Sequence, residues 1–142
     1  MISVAKTNSS RSISDMTNHD ENALLDGKLR PCPNSPNCVC SEHEVCDGWI
    51  APLVFFGEAD AAWQRLTGVL RDYPRSKIVA ETADYIEARV RTRIFRFEDV
   101  LEFRLDRVAN LIHVRSASQT GYSDLGTNRR RIEAIRKLFR EE

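Results

Sequence analysis

Four cysteines fall within fifteen residues: Cys32, Cys38, Cys40 and Cys46, spaced C-x5-C-x-C-x5-C, with His43 between the last two. Three chemistries suit this set. Cys32 and Cys38 can close a disulfide across a proline-rich loop. The thiols can instead stay reduced, with Cys32 or Cys38 as nucleophile if His43 or His113 supplies a base. Or Cys32, Cys38, Cys40 and Cys46 can hold zinc, although the paired C-x2-C knuckles usual for zinc are missing. Apart from that zinc alternative, no cofactor is expected. A second group lies near the end of the chain: Arg115-Ser116-Ala117-Ser118, then Tyr122, then Asn128-Arg129-Arg130-Arg131. Ser116 and Ser118 occupy strand positions where apolar residues are expected, and Asn128 falls on the inward stripe of a helix. A buried hydroxyl or amide left without a partner costs about 1–3 kcal/mol, so these groups must meet something. Two readings stay open. They form an internal pin between helix and sheet. Or Asn37, Arg115, Ser116, Ser118, Tyr122, Asn128, Arg129 and Arg131 line a polar pocket for a small anionic ligand, helped by the free N–H groups of the helix start.

Other chemistry is thinner. Arg89, Arg91 and Arg93 share one face of a strand. They read as an anion patch, or as a solvated face paired across strands with Glu87, Glu102 and Asp106. Asp84, Asp99 and Asp124 are the candidate acids, with Asp124 more simply a helix cap and Asp99 more simply part of a charged turn. The chain has no GxSxG, no GxxxxGKS/T, no HExxH and no GxGxxG, so the common hydrolase, phosphate-loop and dinucleotide signatures are absent. The expectation is a non-catalytic module that binds a small anion. A thiol-dependent or hydrolytic enzyme using Cys32 or Cys38, and an interaction domain with an internal pin, are the alternatives.

The elements that must place these residues are legible from periodicity. Residues 30–48, with three prolines and four cysteines, read as a structured loop. Residues 49–56 read as an edge strand interrupted by Pro52. Over 58–73 the spacing of Ala59, Ala62, Trp63, Leu66, Val69, Leu70 and Tyr73 predicts an amphipathic helix stopped by Pro74. Residues 77–81, 85–95, 100–106 and 110–118 predict strands. The last three alternate Ile86/Ala88/Val90, Leu101/Phe103/Leu105 and Ile112/Val114 against charged neighbours. Such alternation predicts one buried and one wet face. Residues 124–141 predict a final helix, with Ser123 or Asp124 as N-cap and Leu125, Asn128, Ile132, Ile135, Leu138 and Phe139 inward. The order β-α-β-β-β-β-α predicts an α+β fold: an antiparallel sheet of four to five strands with two helices on one face.

The chain has 142 residues, 42% hydrophobic and 30% charged, which fits one folded domain. Residues 1–28 read as a disordered tail rich in Ser, Asn and Asp, and residues 29–142 as the domain. Basic and acidic side chains number 21 each. A nucleic-acid partner is therefore not expected. The zero sum hides an acidic front, with four basic and seven acidic side chains in residues 1–48. It also hides a basic end, with six basic and three acidic in residues 126–142. No apolar run is long enough to span a bilayer, and no signal-peptide pattern opens the chain. The expected location is cytoplasmic.

Three blocks carry a family resemblance. Pro31-Cys32-Pro33-Asn34-Ser35-Pro36-Asn37-Cys38-Val39 resembles an opening C-P-D/N-S-P-N-C-V. Tyr85 through Phe103 resembles a second block, Y-L/I-x-A … R-F-x-D-D-x-E-F. Val114 to Ser118, Gly121 to Gly126 and Asn128 to Glu133 resemble the closing block. In order and spacing the likeness covers about residues 30–140 and resembles DUF1499, a family of unknown function. The resemblance implies that the residues singled out above belong to the family's signature. It brings no reaction with it, and many relatives are exported or membrane-attached. This chain departs from the pattern in four places: Val100 replaces a second acid, Gln119 replaces an Arg, Cys40 replaces a Ser, and Cys46 is an addition.

Overall fold

The computed structural model describes residues 24–33, 36–43, 47–93, 97–119 and 126–141. The expectations for a tail over residues 1–23, an N-cap at Ser123 or Asp124, and sites at Tyr122 and Cys46 fall outside them. The strands are β1 (Cys38–Cys40), β2 (Leu53–Val54), β3 (Ser76–Glu81), β4 (Tyr85–Arg91), β5 (Glu98–Asp106) and β6 (Leu111–Ser118). The helices are α1 (Ala59–Asp72), between β2 and β3, and α2 (Thr127–Glu141), after β6. The α+β class and the element order match the reading of the sequence.

Among the described residues, one antiparallel sheet of six strands runs β1-β6-β5-β4-β3, with β2 also paired to β6. Six strands form where four to five were expected, because the cysteine loop itself contributes β1. Cys38, Val39 and Cys40 pair with Ala117, Ser116 and Arg115. The prolines and short runs hid this strand: three residues are too few to show alternation, and β1 forms because β6 offers a free edge while Gly48 and Ile50 bond Cys40 on the other side.

Both helices cover the same face. Ala62, Trp63, Leu66, Val69 and Leu70 of α1 join Ile132, Ile135 and Phe139 of α2 over Ile86, Ala88, Val90, Leu101, Phe103, Leu105, Ile112 and Val114. Each such Leu, Ile, Val or Phe contributes about 1.5–3 kcal/mol by leaving water. Leu138, expected inward, is instead exposed. It lies at the edge of the buried stripe next to Arg131, while Arg136 closes the opposite edge by donating to the carbonyls of Pro52 and Ala51 at 2.7 Å each. Residues 24–28, assigned to the tail in the sequence reading, form a two-residue turn. Asp26 and Gly27 have φ of 52° and 78°, and Leu25 and Lys28 exchange backbone hydrogen bonds. Asp-Gly is a strong signal for such a turn.

The second sheet face is not simply wet. Glu87 and Glu102 are 4% and 2% exposed, although both lie on the side away from the helices. Their burial follows from charge pairing across strands and from the segment 24–33 lying against part of that face. Leu29, fully buried, donates its N–H to Glu42 Oε2 at 2.8 Å, and the His43 ring donates to the Leu29 carbonyl at 2.6 Å.

Candidate functional site

Two polar constellations lie on opposite faces of β6, because neighbouring strand residues point opposite ways. On the helix side, Ser116 and Asn128 are both fully buried. Ser116 Oγ donates to Asn128 Oδ1 at 2.5 Å. Asn128 Nδ2 donates to the Asn37 carbonyl at 3.1 Å and to Ser118 Oγ at 3.0 Å. Arg131 Nη1 donates to Asn128 Oδ1 at 2.9 Å, and its Nη2 lies 2.8 Å from Asp99 Oδ2. Asp99 is 1% exposed, so Arg131 balances a buried carboxylate at the start of β5. The Ser118 N–H adds a bond to the Asn37 carbonyl at 3.0 Å. One asparagine thus ties α2, β6 and the cysteine loop together.

The structure therefore brings together five of the eight residues expected at the strand end: Asn37, Ser116, Ser118, Asn128 and Arg131. Arg115 is on the other face. Arg129 is exposed on α2 and donates to the carbonyls of Asp47 and Trp49 at 3.2 and 2.9 Å. Asp99, which the sequence reading placed in a charged turn, is the missing counter-ion of Arg131.

The opposite face carries a row that runs straight across four strands. Glu87 pairs in register with Glu102, Glu102 with Arg115, and Arg115 with Cys40. Tyr85 donates its hydroxyl to Glu102 Oε2 at 2.6 Å, and Arg115 Nη1 donates to Oε1 at 3.2 Å. Burial pushes the Glu102 carboxyl up, although Tyr85 and Arg115 pull it back down. Tyr85 is held well above its usual range by burial and by the Glu102 charge. Arg89 neutralises its neighbours, with Nε 2.6 Å from Glu87 and Nη1 3.1 Å from Glu98. Of the expected pairing of the arginine row, Arg89 thus keeps Glu87, along its own strand, and reaches across to Glu98 on β5 in place of Glu102 or Asp106.

Near Cys40 the same face holds a Ser–His–Glu grouping. Ser41 Oγ lies 3.1 Å from His113 Nδ1, and His113 Nε2 lies 3.8 Å from Glu42 Oε1. It is bound up structurally. Ser41 Oγ accepts from the Val114 N–H at 2.8 Å, and Glu42 is chelated by Arg104. Burial lowers the His113 pKa, as do Arg104 and Lys28 to smaller degrees, against the opposing pull of Glu42 and Asp106.

Sequence reasoning missed the Tyr85–Glu102–Arg115 and Glu42–Arg104–His113 groups. Alternation placed all but Glu42 on the outward face. The available signal was the tight turn at residues 107–110, which sets the β5–β6 register and puts Glu102 opposite Arg115.

Cys32 and Cys38 are joined by a disulfide, so in this state neither offers a thiolate to a substrate or a metal. Gly48 packs on that bridge. A Cβ there would lie 2.8 Å from the Cys38 carbonyl oxygen and 3.7 Å from Cys32 Sγ. Cys40 is a free, buried thiol that donates to the Arg30 carbonyl. Burial raises its pKa, the reverse of what a nucleophile needs. Among the described residues, no three His, Cys, Asp or Glu side chains gather as a metal site. Among those residues, too, no helix is long and apolar enough to cross a membrane.

No curated protein and no solved structure matches the chain. The profile of one family, described as Protein of unknown function (DUF1499), matches residues 28–139. That span holds the disulfide loop, the whole sheet and almost all of α2, so the chain belongs to the DUF1499 family.

Proposed function

We infer that the protein is a small non-catalytic binding or interaction domain in which the serine–asparagine–arginine cluster is an internal pin. The observation that carries this is the mutual satisfaction of Ser116, Asn128 and Arg131, each 7% exposed or less. Their donors and acceptors turn on one another, on Asn37 and on Asp99. An enzyme reading finds little support beside it: the two candidate nucleophiles share a bridge, and Cys40 is held protonated by burial.

The double change Arg129→Ala with Arg131→Ala tests the inference, each substitution also being made alone. The pin reading expects Arg131→Ala to lower the melting temperature steeply and Arg129→Ala to leave it close to wild type. Unchanged melting of the double variant, with loss of a co-purifying small anion seen by native mass spectrometry, would favour an anion pocket at this end of the sheet. That second reading draws support from Arg129, exposed at the start of α2. The Cys32–Cys38 bridge also favours an oxidising compartment over the expected cytoplasm. Alkylating the protein in intact cells before lysis tests this, since Cys32 and Cys38 themselves blocked before any reduction would point to a reducing location.

A further inference from the structure

We propose that the outer sheet face carries an anion-binding site at its β3 edge, specific for a phosphate-type group, free or on a lipid headgroup. A groove of about 690 Å³ opens there, lined by Arg75, Ser76, Lys77, Val79, Arg89, Arg91 and Glu98. That volume is within the range that holds small ligands. Four of the seven lining residues are cationic and one is acidic.

Arg89 is the neutralised member. It is committed to Glu87 and Glu98, and Glu98 is thereby spent as well. Arg75, Lys77 and Arg91 are exposed, and none has an acidic partner among the described residues. Three uncompensated cations thus flank one groove in a protein whose formal net charge is zero.

Backbone pairing sets where the basic groups emerge. Arg75 and Arg91 meet across the β3–β4 pair, with the Arg91 N–H donating to the Arg75 carbonyl at 3.1 Å. The Arg75 side chain then donates its Nε to the Arg91 carbonyl at 3.1 Å. That bond orients the guanidinium and leaves both Nη groups as a fork, the geometry that suits two oxygens of one phosphate. Lys77 is held opposite Arg89 in register. The ladder shifts between Ile78 and Ala80, so Val79 is the bulged residue at the groove.

A bulge and a lysine on an edge strand also discourage pairing with other chains. Edge protection alone accounts for Lys77 and Val79. It does not account for a guanidinium pinned through Nε with its outer donors left open. The groove gathers its basic groups at one corner, which fits a small ligand better than a nucleic acid.

The test is calorimetric titration of the full chain with inorganic tripolyphosphate, beside co-sedimentation with phosphatidylcholine vesicles with and without a phosphoinositide. Saturable one-to-one binding of tripolyphosphate, weakening as salt is raised, is expected. Arg75→Gln with Arg91→Gln should weaken it at least about tenfold. Lys137→Gln with Arg140→Gln, an equal charge loss on exposed positions of α2, should leave it within about twofold. If the arginine pair impairs folding, as judged by circular dichroism, Lys77→Gln alone serves in its place. Vesicle binding without tripolyphosphate binding, lost in the same variants, would assign the phosphate to a lipid headgroup. No binding in either arm would overturn the proposal. So would equal loss in the α2 control, or an RNA oligonucleotide that competes regardless of the groove variants.

Discussion

Asn128→Ala is the sharpest perturbation of the pin. The amide is fully buried and takes part in four hydrogen bonds, to Ser116, Ser118, Asn37 and Arg131. Its removal does not orphan every partner. The Asn37 carbonyl keeps the Ser118 N–H, Arg131 keeps Asp99, and Ser118, half-buried, can turn to water. Ser116 Oγ retains only Arg131 Nη1 at 3.5 Å. The cost is therefore one nearly orphaned buried hydroxyl, one weakened charged bond and two ordinary bonds, about 3–4 kcal/mol together. Domains of this size hold about 5–15 kcal/mol in all, so about a fifth or more of the stability is at stake. The melting temperature should fall by roughly 10–20 °C. Urea unfolding followed by far-ultraviolet circular dichroism measures the change, with Arg129→Ala as the exposed control, expected within about 1 kcal/mol. Asn128→Asp keeps the shape but loses both donated bonds and sets a second carboxylate near Asp99, so at neutral pH it should be at least as damaging. A shift for Asn128→Ala under about 0.5 kcal/mol would refute the pin and with it the inferred division of labour.

Four further outcomes follow from local features. Gly48→Ala should destabilise by about 1–3 kcal/mol, because its Cβ would meet a backbone carbonyl at 2.8 Å. Gly68→Ala, mid-helix in α1 with open space around it, should instead stabilise by about 0.5–1 kcal/mol. Equal signs in chemical denaturation would refute the packing argument. The Cys32→Ser, Cys38→Ser double variant should lose about 2 kcal/mol, the loop-closure value for a bridge six residues apart, and addition of reductant should then have no further effect on it. For His113, the folded pKa lies below the ordinary value, so the unfolded chain binds more protons in the window between the two. Stability should therefore fall as pH drops below about 6.5. His113→Gln should flatten that fall, and identical melting profiles from about pH 7.5 to 5.5 would count against it.

Legibility tracked how local the cause was. The β4, β5 and β6 alternation and the α1 stripe are properties of neighbours in the chain, and they marked the core face correctly from Ala62 to Val114. Ser116 and Asn128 stood out because they broke that pattern, and breaking it is what made them the pin. Asp99 did not stand out. Its partner Arg131 is 32 positions away, and only the approach of α2 to the start of β5 explains a carboxylate there. Arg115 was grouped with Ser116 by adjacency, yet adjacency within a strand means opposite faces.

Taken alone, the sequence determined the α+β order, the helix-facing half of the sheet and the residues too polar for their positions, because period and hydrophobicity act within a few residues. It also determined the family, through three short blocks in order. Tertiary structure decided what those residues touch. It recruited Cys38–Cys40 as a strand, because a three-residue segment has no ladder until a neighbour supplies one. It turned a nominally solvated face into a paired, buried network, because register sets Glu102 against Tyr85 and Arg115. And it left Arg75, Lys77 and Arg91 uncompensated around one groove, because whether a charge is balanced depends on which strands lie side by side.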